Sequence, residues 1–292
     1  MKNLFKDQAL QQEFDSNGYV IVPMLTPSDI DQLNALFQKY FPEVPIGFAS
    51  STYLSDYKTK REISDATSAI MAPKIANWLK GHRLIGSAFL SKAPDQRSQL
   101  PMHQDWTIVD EDNFDALNLW TPLTPITEEN GILEMLPGSQ ETFRVVRAPS
   151  MPFIAQGHEE LIYPHMVKLD VKPGEVVILN QAVVHFSGPN RSKESRIALT
   201  TGATSDLASL QFHYWNSDEQ LLETFEMEKD YHLRYENFFE DIFKRPIGKE
   251  PISKKNFQYH VLTREQVLRR LPQSDEHNLN SKLKTLWQKL WN

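Results

Sequence analysis

The chain has 292 residues, with 31 lysines and arginines against 38 aspartates and glutamates, and a formal net charge of −7. This mild acidity argues against a general nucleic-acid binder, which normally carries a basic face. The lack of cysteine excludes disulfides, cysteine-bound zinc, iron–sulfur clusters and thiol nucleophiles. The polar N-terminus lacks the apolar core of a signal peptide, and no segment approaches the ~20 apolar residues of a membrane span. We therefore expect a cytoplasmic protein that binds neither membrane nor nucleic acid.

The first part of the chain predicts helices around a single strand. A polar, amphipathic segment at residues 7–16 predicts a helix, and the apolar run at 18–23 between a glycine and a proline predicts a strand. Thr26 and the proline and acids after it are typical of a helix start, and apolar residues follow at helical spacing. A further helix is predicted over residues 64–79.

From about residue 84 the pattern changes to short β-rich runs. Glycine, proline and asparagine turns separate these runs, which lie at residues 84–90, 116–120, 132–136, 166–169, 175–179 and 196–201. Many short strands with regular turns indicate a sandwich or barrel and not a doubly wound sheet. No glycine-rich phosphate loop follows a strand, so nucleotide-binding folds have no support.

Beyond about residue 208 the chain is predicted to become helical and aromatic-rich, with an exposed loop at 246–256 and a last helix at 278–291. We find no convincing interdomain linker. The expected organisation is one domain over residues 1–292, with a β core at about 84–205 and helical flanks at both ends.

A His-x-Asp motif, His103 and Asp105, lies in one of the extended segments. Side chains two residues apart on a strand point to the same face, so this pair could bind one ion from one side. His185, at the end of the apolar run 183–184, offers a third ligand. Two imidazoles and one carboxylate form the facial triad of non-haem Fe(II) oxygenases, and the open positions accept a bidentate 2-oxo acid and dioxygen. The motif alone is a weak signal, because His-x-Asp is common by chance.

The residues after His185 strengthen this interpretation. Arg196 begins the apolar run 197–199 and so starts a predicted strand of the β core, where its guanidinium could bind a carboxylate of a dicarboxylate through two hydrogen bonds. Ser187 could add a hydroxyl donor. The alternative is that these side chains are ordinary residues of a solvated turn and strand edge.

Several ordered blocks together resemble the phytanoyl-CoA dioxygenase family of Fe(II)/2-oxoglutarate oxygenases, over roughly residues 14–203. The matching blocks are 14–20, 90–94, 101–106, 119–123, 129–133, 136–139 and 185–196. The resemblance implies a mainly β fold with flanking helices, built as a double-stranded β-helix or jelly roll. It also implies oxidation of a substrate by dioxygen with conversion of 2-oxoglutarate to succinate and carbon dioxide. The sequence departs from the family at Gln140, where a histidine that is not a ligand is usual.

The resemblance assigns roles to individual residues. It implies His103, Asp105 and His185 as iron ligands, and Arg196 and Ser187 at the distal carboxylate of 2-oxoglutarate, in a pocket lined by Gln104 and Trp120. Lys92 could also contact an anion, although an exposed lysine is the commoner case. Because Asp105 is present where halogenating relatives have a small residue, hydroxylation is favoured.

The substrate is expected to be a small organic molecule of an acyl, amino-acid-like or natural-product type. Candidate pocket residues are Trp106, Phe153, Phe212, His213, Tyr214 and Trp215, with the alternative that 212–215 form a strand packing the core. The aromatic residues at 231–243 are expected in the core or at a dimer face. Two alternative functions are a non-catalytic jelly-roll metal- or ligand-binding protein and a metal-dependent hydrolase. The sequence does not determine the oligomeric state.

Overall fold

The computed structural model describes residues 3–272. The helices are α1 (Gln8–Asn17), α2 (Pro27–Tyr40), α3 (Tyr57–Ile75), α4 (Ser139–Thr142), α5 (Glu159–Ile162), α6 (Phe238–Asp241) and α7 (Arg264–Arg270). The strands are β1 (Tyr19–Pro23), β2 (Phe48–Ser50), β3 (His82–Lys92), β4 (Leu100–His103), β5 (Ala116–Pro122), β6 (Leu133–Met135), β7 (Val167–Lys168), β8 (Glu175–Asn180), β9 (His185–Ser187), β10 (Arg196–Ser205), β11 (Leu210–Asn216), β12 (Leu221–Met227) and β13 (Ser253–Asn256).

The N-terminal helices begin and end where local hydrogen bonds satisfy their backbone groups. Helix α1 ends at Gly18, whose left-handed backbone (φ 78°) lets its N–H donate to a carbonyl of the last turn. Helix α2 begins after Thr26, which forms a reciprocal capping box with Asp29. Helix α3 begins earlier than predicted, because the Asp56 carboxylate accepts from a backbone N–H of its first turn. The predicted helix–strand–helix order of this region is confirmed.

Two antiparallel sheets form the centre of the molecule. The larger has six strands in the order β1-β8-β5-β10-β3-β2, and the smaller has four in the order β4-β9-β6-β7. Side chains from both sheets share one core, with Trp120 and Val177 from the larger sheet and Leu133 and Met135 from the smaller. Two antiparallel sheets packed on a common core make a jelly roll, as predicted.

The opposite face of the larger sheet is covered by the N-terminal helices. Phe14 of α1, Leu33 of α2 and Ile63 of α3 pack in one cluster with Leu119 and Ile178 of the sheet, and all five are buried. Burying this face keeps the sheet from exposing apolar surface to water. The metal-ligand candidates therefore lie on the other side of the larger sheet, between the two sheets.

The prediction of helix beyond residue 208 is wrong for most of that region. Strands β11, β12 and β13 form a third antiparallel sheet, in which Phe212 pairs with Phe225 and both side chains are buried. The aromatic residues of this region form a sheet because their side chains are buried as cross-strand pairs, although their spacing in the sequence suggested a helix. The exposed stretch at 246–256 ends in β13, and the predicted helix at 278–291 lies outside the described residues. Within residues 3–272, no helix has the length and apolar character needed to cross a bilayer.

Candidate metal centre

The three side chains predicted as metal ligands converge at one edge of the smaller sheet. His103 ends β4 and His185 begins β9, and the two residues pair directly in the sheet register. Asp105 follows β4, and its Oδ1 lies 3.6 Å from His103 Nε2 and 3.8 Å from His185 Nε2. One ligand atom from each residue lies within 4.8 Å of the other two. This arrangement could hold one metal ion.

Backbone carbonyls fix the orientation of both imidazoles. The Nδ1 atom of His103 lies 2.7 Å from the Pro101 carbonyl, and that of His185 lies 2.9 Å from the Val183 carbonyl. Because a carbonyl only accepts, each Nδ1 carries the proton and each Nε2 keeps a free lone pair. Burial, together with the nearby His103, lowers the pKa of His185 to about 4. His185 is therefore in the neutral form that a metal requires.

The Asp105 carboxylate is held by a chain of hydrogen bonds from the larger sheet. Asn118 Nδ2 donates to Asp105 Oδ2 over 3.2 Å, and the Thr200 hydroxyl donates to Asn118 Oδ1. Burial acts to raise the pKa of Asp105, but His185 and His103, when both of their ring nitrogens carry a proton, and the Asn118 amide lower it well below its usual value. With Oδ2 held in this way, Oδ1 is presented to both imidazoles. Sequence reasoning missed Asn118 and Thr200.

Replacing Asn118 with alanine is expected to weaken Fe(II) binding by about 10- to 100-fold, the usual effect of losing a partner that orients a ligand. Anaerobic titration of the metal-free protein with Fe(II) measures this change. Asn34→Ala is the matched control, because Asn34 also donates its amide to one acceptor, the Leu123 carbonyl, at a distance from the site. Equal iron affinities in the wild type and Asn118→Ala would contradict the role given to Asn118.

Arg196 is a buried cation that lines the same cavity as the candidate ligands. Its side chain starts β10, is 2% exposed, and donates from Nη1 to the Gly131 carbonyl over 2.6 Å. Its guanidinium carbon lies 5.5 Å from the centre of the Trp120 ring. Its buried Nε has no hydrogen-bond partner among the described residues, and burial lowers its pKa to about 10. A buried guanidinium without a carboxylate is unfavourable, so this side chain is suited to bind an anion.

A cavity of about 580 Å³ joins the candidate ligands to Arg196. Its wall includes the predicted cosubstrate residues Gln104, Trp120 and Ser187. The Gln104 amide is fixed by donating to the carbonyls of Phe143 and Ala182, over 3.3 and 2.6 Å. A cavity of this size suits a small-molecule ligand, for which pockets of roughly 300–1,000 Å³ are typical.

Lys92 lies outside the cavity wall, and the alternative considered for it, an exposed lysine, is wrong. Its side chain is fully buried, and its Nζ donates to the carbonyls of Ser187 and Gly188 over 2.8 and 2.5 Å. Burial, with a contribution from the nearby Arg196, lowers the pKa of Lys92 to about 6. Lys92 thus stabilises the turn after β9, and its contact with a bound anion stays a prediction.

The substrate side of the cavity differs from the prediction. Of the candidate pocket residues, Trp106 lines the cavity, whereas Phe153, Phe212, His213, Tyr214 and Trp215 do not. The alternative, a strand that packs the core, is the correct one: Phe212 packs with Phe225 and Ile242. The aromatic residues at 231–243 were expected in the core or at a dimer face, and Tyr231, Tyr235 and Phe238 do pack against the buried cluster of Phe212, Phe225 and Ile242. In addition, Tyr231, Phe238, Phe239 and Phe243 line the cavity wall, which was not predicted. The high frequency of aromatic residues after β12 was the sequence feature that could have indicated this part of the cavity wall.

A model of the family Phytanoyl-CoA dioxygenase (PhyH) matches residues 14–198, more than half of the chain. The chain belongs to the PhyH family. This match includes all three candidate ligands and Arg196, and it ends before the aromatic residues at 231–243. The part of the cavity that holds the candidate metal centre is therefore a PhyH feature, and much of the opposite wall is contributed by chain outside the matched region.

Curated relatives agree with the PhyH assignment, and solved structures of other proteins share the fold. The chain is 30% identical over 125 residues to "Phytanoyl-CoA dioxygenase domain-containing protein 1 homolog" of Dictyostelium discoideum, which covers 40% of this chain and 44% of that protein. The chain thus spans about half or less of the curated relatives it matches. In fold it is similar to the non-haem alpha-ketoglutarate-dependent carbocyclase SnoK of nogalamycin biosynthesis (TM-score 0.55, 18% identity, 70% of this chain and 86% of that one). It is also similar to HygX of Streptomyces hygroscopicus, solved with nickel, 2-oxoglutarate and hygromycin B (TM-score 0.51, 16% identity, 69% and 88%).

Proposed function

We propose that this PhyH-family chain is an Fe(II)- and 2-oxoglutarate-dependent oxygenase that hydroxylates a small organic substrate and releases succinate and carbon dioxide. The observation that carries the proposal is the meeting of three ligand atoms, from His103, Asp105 and His185, in a cavity that also contains the buried cation of Arg196. Two imidazoles and one carboxylate are the donor set of non-haem Fe(II) oxygenases. Arg196 supplies the partner that a dicarboxylate cosubstrate needs.

Each candidate site residue has a separate role in this proposal. His103, Asp105 and His185 hold the metal from one side and leave its remaining positions to ligands in the cavity. Arg196 and Ser187 bind the distal carboxylate of the cosubstrate and so fix the orientation of its 2-oxo acid end. Bound there, Fe(II) and 2-oxoglutarate supply the activation of dioxygen for substrate oxidation. The apolar cavity wall keeps water from this chemistry.

The choice of hydroxylation rests on Asp105. A carboxylate at this position occupies the site that a halide takes in halogenating relatives, where a small residue replaces it. Asp105 is also fixed by Asn118, which makes its position between the two imidazoles well defined. The oxygen atom is therefore proposed to reach the substrate as a hydroxyl group.

Conversion of 2-oxoglutarate to succinate by the purified protein tests this proposal. We expect succinate release that needs Fe(II), stops with a chelator, and rises when a metabolite library contains the substrate, whose product gains one oxygen atom. Thermal unfolding in the presence of 2-oxoglutarate and Fe(II) gives an independent reading of binding. A folded protein that binds neither Fe(II) nor 2-oxoglutarate would show that the chain is a non-catalytic member or acts by other chemistry.

A further inference from the structure

Part of the cavity wall is an aromatic surface. It consists of Tyr53, Trp106, Tyr231, Phe238, Phe239 and Phe243, and we call it the aromatic wall. Most of these residues come from the segment 231–243, which follows the PhyH match. Most of the aromatic wall is thus contributed by chain outside the matched region, and it lines the same cavity as the candidate metal centre.

Contacts between its members hold the aromatic wall together. The Tyr53 ring packs against Phe238 and Phe239, with ring centres 5.0 and 4.5 Å apart. The rings of Trp106 and Phe238 lie nearly parallel, at 24° and 6.3 Å between centres. Such contacts restrict the rings to a few orientations and present their faces or edges as a fixed surface. A fixed aromatic surface binds flat, apolar groups with little loss of side-chain entropy.

The titratable groups of the aromatic wall, together with the neighbouring His232, are uncharged at neutral pH. Burial raises the pKa of Tyr53 to about 12 and raises that of Tyr231 still further. Burial also lowers the pKa of His232, which lines the cavity beside Tyr231, to about 4. These groups can exchange hydrogen bonds with a substrate but offer no counter-charge to an ionised one.

Charged side chains of the cavity wall are few. Among the described residues, they are Asp105, Arg196 and Lys229. The first two are assigned to the metal and the cosubstrate, which leaves Lys229, an exposed side chain. Coenzyme A carries several phosphates, and the lining itself offers them a single exposed cation. The lining therefore does not suit a coenzyme A thioester, and it disfavours a zwitterionic amino acid because burying an uncompensated charge is costly.

We infer that the substrate of this site is an uncharged, mainly apolar molecule carrying a flat ring, which packs on the aromatic wall and points its oxidised carbon at the candidate metal centre. This inference rests on the proposed function, because it takes the same cavity as the place of oxidation. The phenols of Tyr53 and Tyr231 and the His232 imidazole provide the hydrogen bonds for its few polar groups.

Four probe ligands distinguish the contribution of a flat ring to binding from the effect of ligand charge. 2-Naphthol has a flat bicyclic ring and no charge at neutral pH, L-tryptophan has a similar ring and two charges, 1-dodecanol has neither ring nor charge, and palmitoyl-coenzyme A represents acyl thioesters. Their dissociation constants are measured by calorimetry on protein loaded with Fe(II) and 2-oxoglutarate in the absence of oxygen. We expect 2-naphthol to bind most tightly of the four.

Two substitutions test the aromatic wall itself. Phe238→Leu keeps apolar volume and removes the ring, and it is expected to weaken 2-naphthol binding at least about fivefold without changing the affinity for 2-oxoglutarate. Ile247→Ala is the control, since Ile247 is 92% exposed and lies outside the cavity wall. It is expected to leave both affinities unchanged.

The outcomes for the substrate and for the enzyme are distinct. Binding of palmitoyl-coenzyme A, L-tryptophan or 1-dodecanol as tightly as 2-naphthol overturns the inferred substrate class, and so does unchanged naphthol binding in folded Phe238→Leu. If the protein binds no 2-oxoglutarate, the proposed function fails instead. The four probes and Phe238→Leu then still decide the ligand class of the aromatic wall on the metal-free protein.

Discussion

Replacing His185 with alanine is expected to lower Fe(II) affinity by more than about 100-fold, above the usual effect of losing an orienting partner. The variant removes one of three ligand atoms and leaves Asp105 and His103 as a pair that cannot enclose one face of the ion. Succinate release should fall with iron binding. The melting temperature of the metal-free protein should move by less than about 4 °C, because the variant also relieves the cost of burying a neutral imidazole. Anaerobic Fe(II) titration and thermal unfolding measure both effects.

His213→Ala is the matched control for this experiment. His213 and His185 are both 6% exposed, and burial lowers the pKa of each to about 4. His213 lies on β11 outside the cavity, where its Nδ1 is 3.1 Å from the Thr224 hydroxyl. Its loss should move the melting temperature of the metal-free protein by a similar amount and leave iron affinity unchanged. If both variants lost iron equally, or if His185→Ala kept it, His185 would not be a ligand.

Part of the candidate metal centre could be predicted from the sequence, because two of its three ligands are close together in the chain. His103 and Asp105 are two residues apart in an extended chain, so their common face follows from the strand period alone. His185 could be proposed from its position at the end of an apolar run, but its distance from His103 could not. That distance depends on the pairing of β4 with β9, which brings together residues more than eighty positions apart. Only the pattern of blocks shared with a known family connected them beforehand.

The residues of the cavity wall and those that orient the ligands could not be predicted from the sequence. Asn118 lies between the buried Leu117 and Leu119 on a central strand. A polar side chain in such a position is expected to have a hydrogen-bond partner, but the sequence does not identify which residue it is. The partner, Asp105, is determined by how the two sheets face each other. The segment at 231–243 has aromatics at mixed spacing, which suits core, interface or cavity equally well. Tertiary packing decides among these, and no local period carries that information.

Lys92 shows a related limit of sequence reasoning. Lysine is seldom fully buried, so exposure was the natural alternative to the predicted contact between Lys92 and an anion. The structure can bury it because the carbonyls of Ser187 and Gly188, at the end of β9, accept hydrogen bonds from its Nζ. Those carbonyls lie on a segment nearly a hundred residues away, and backbone acceptors leave no trace in the sequence. The role of Lys92 therefore had to come from the fold.

Replacing Arg196 with methionine is expected to raise the KM for 2-oxoglutarate by about 100-fold or more, since breaking a buried charge pair typically costs about 3–5 kcal/mol. The Arg196→Lys variant keeps the charge but loses the two-pronged geometry, so it should fall between the wild type and Arg196→Met. At a 2-oxoglutarate concentration about 100 times its dissociation constant, the wild type should gain about 2.7 kcal/mol of stability from the ligand. Arg196→Met should gain almost none under the same conditions.

The stability of the ligand-free protein separates an anion-binding role from a structural one. Arg147 is also buried, but it has a carboxylate partner in Glu111 and donates to the Asp105 carbonyl over 2.6 Å. Arg147→Met should therefore destabilise the fold by about 3–5 kcal/mol. Arg196→Met removes a buried cation that has no carboxylate partner among residues 3–272, so the unfolding free energy should stay the same or rise. A large loss of stability in Arg196→Met, with an unchanged KM for 2-oxoglutarate, would mean that Arg196 serves the fold and that the cosubstrate binds elsewhere.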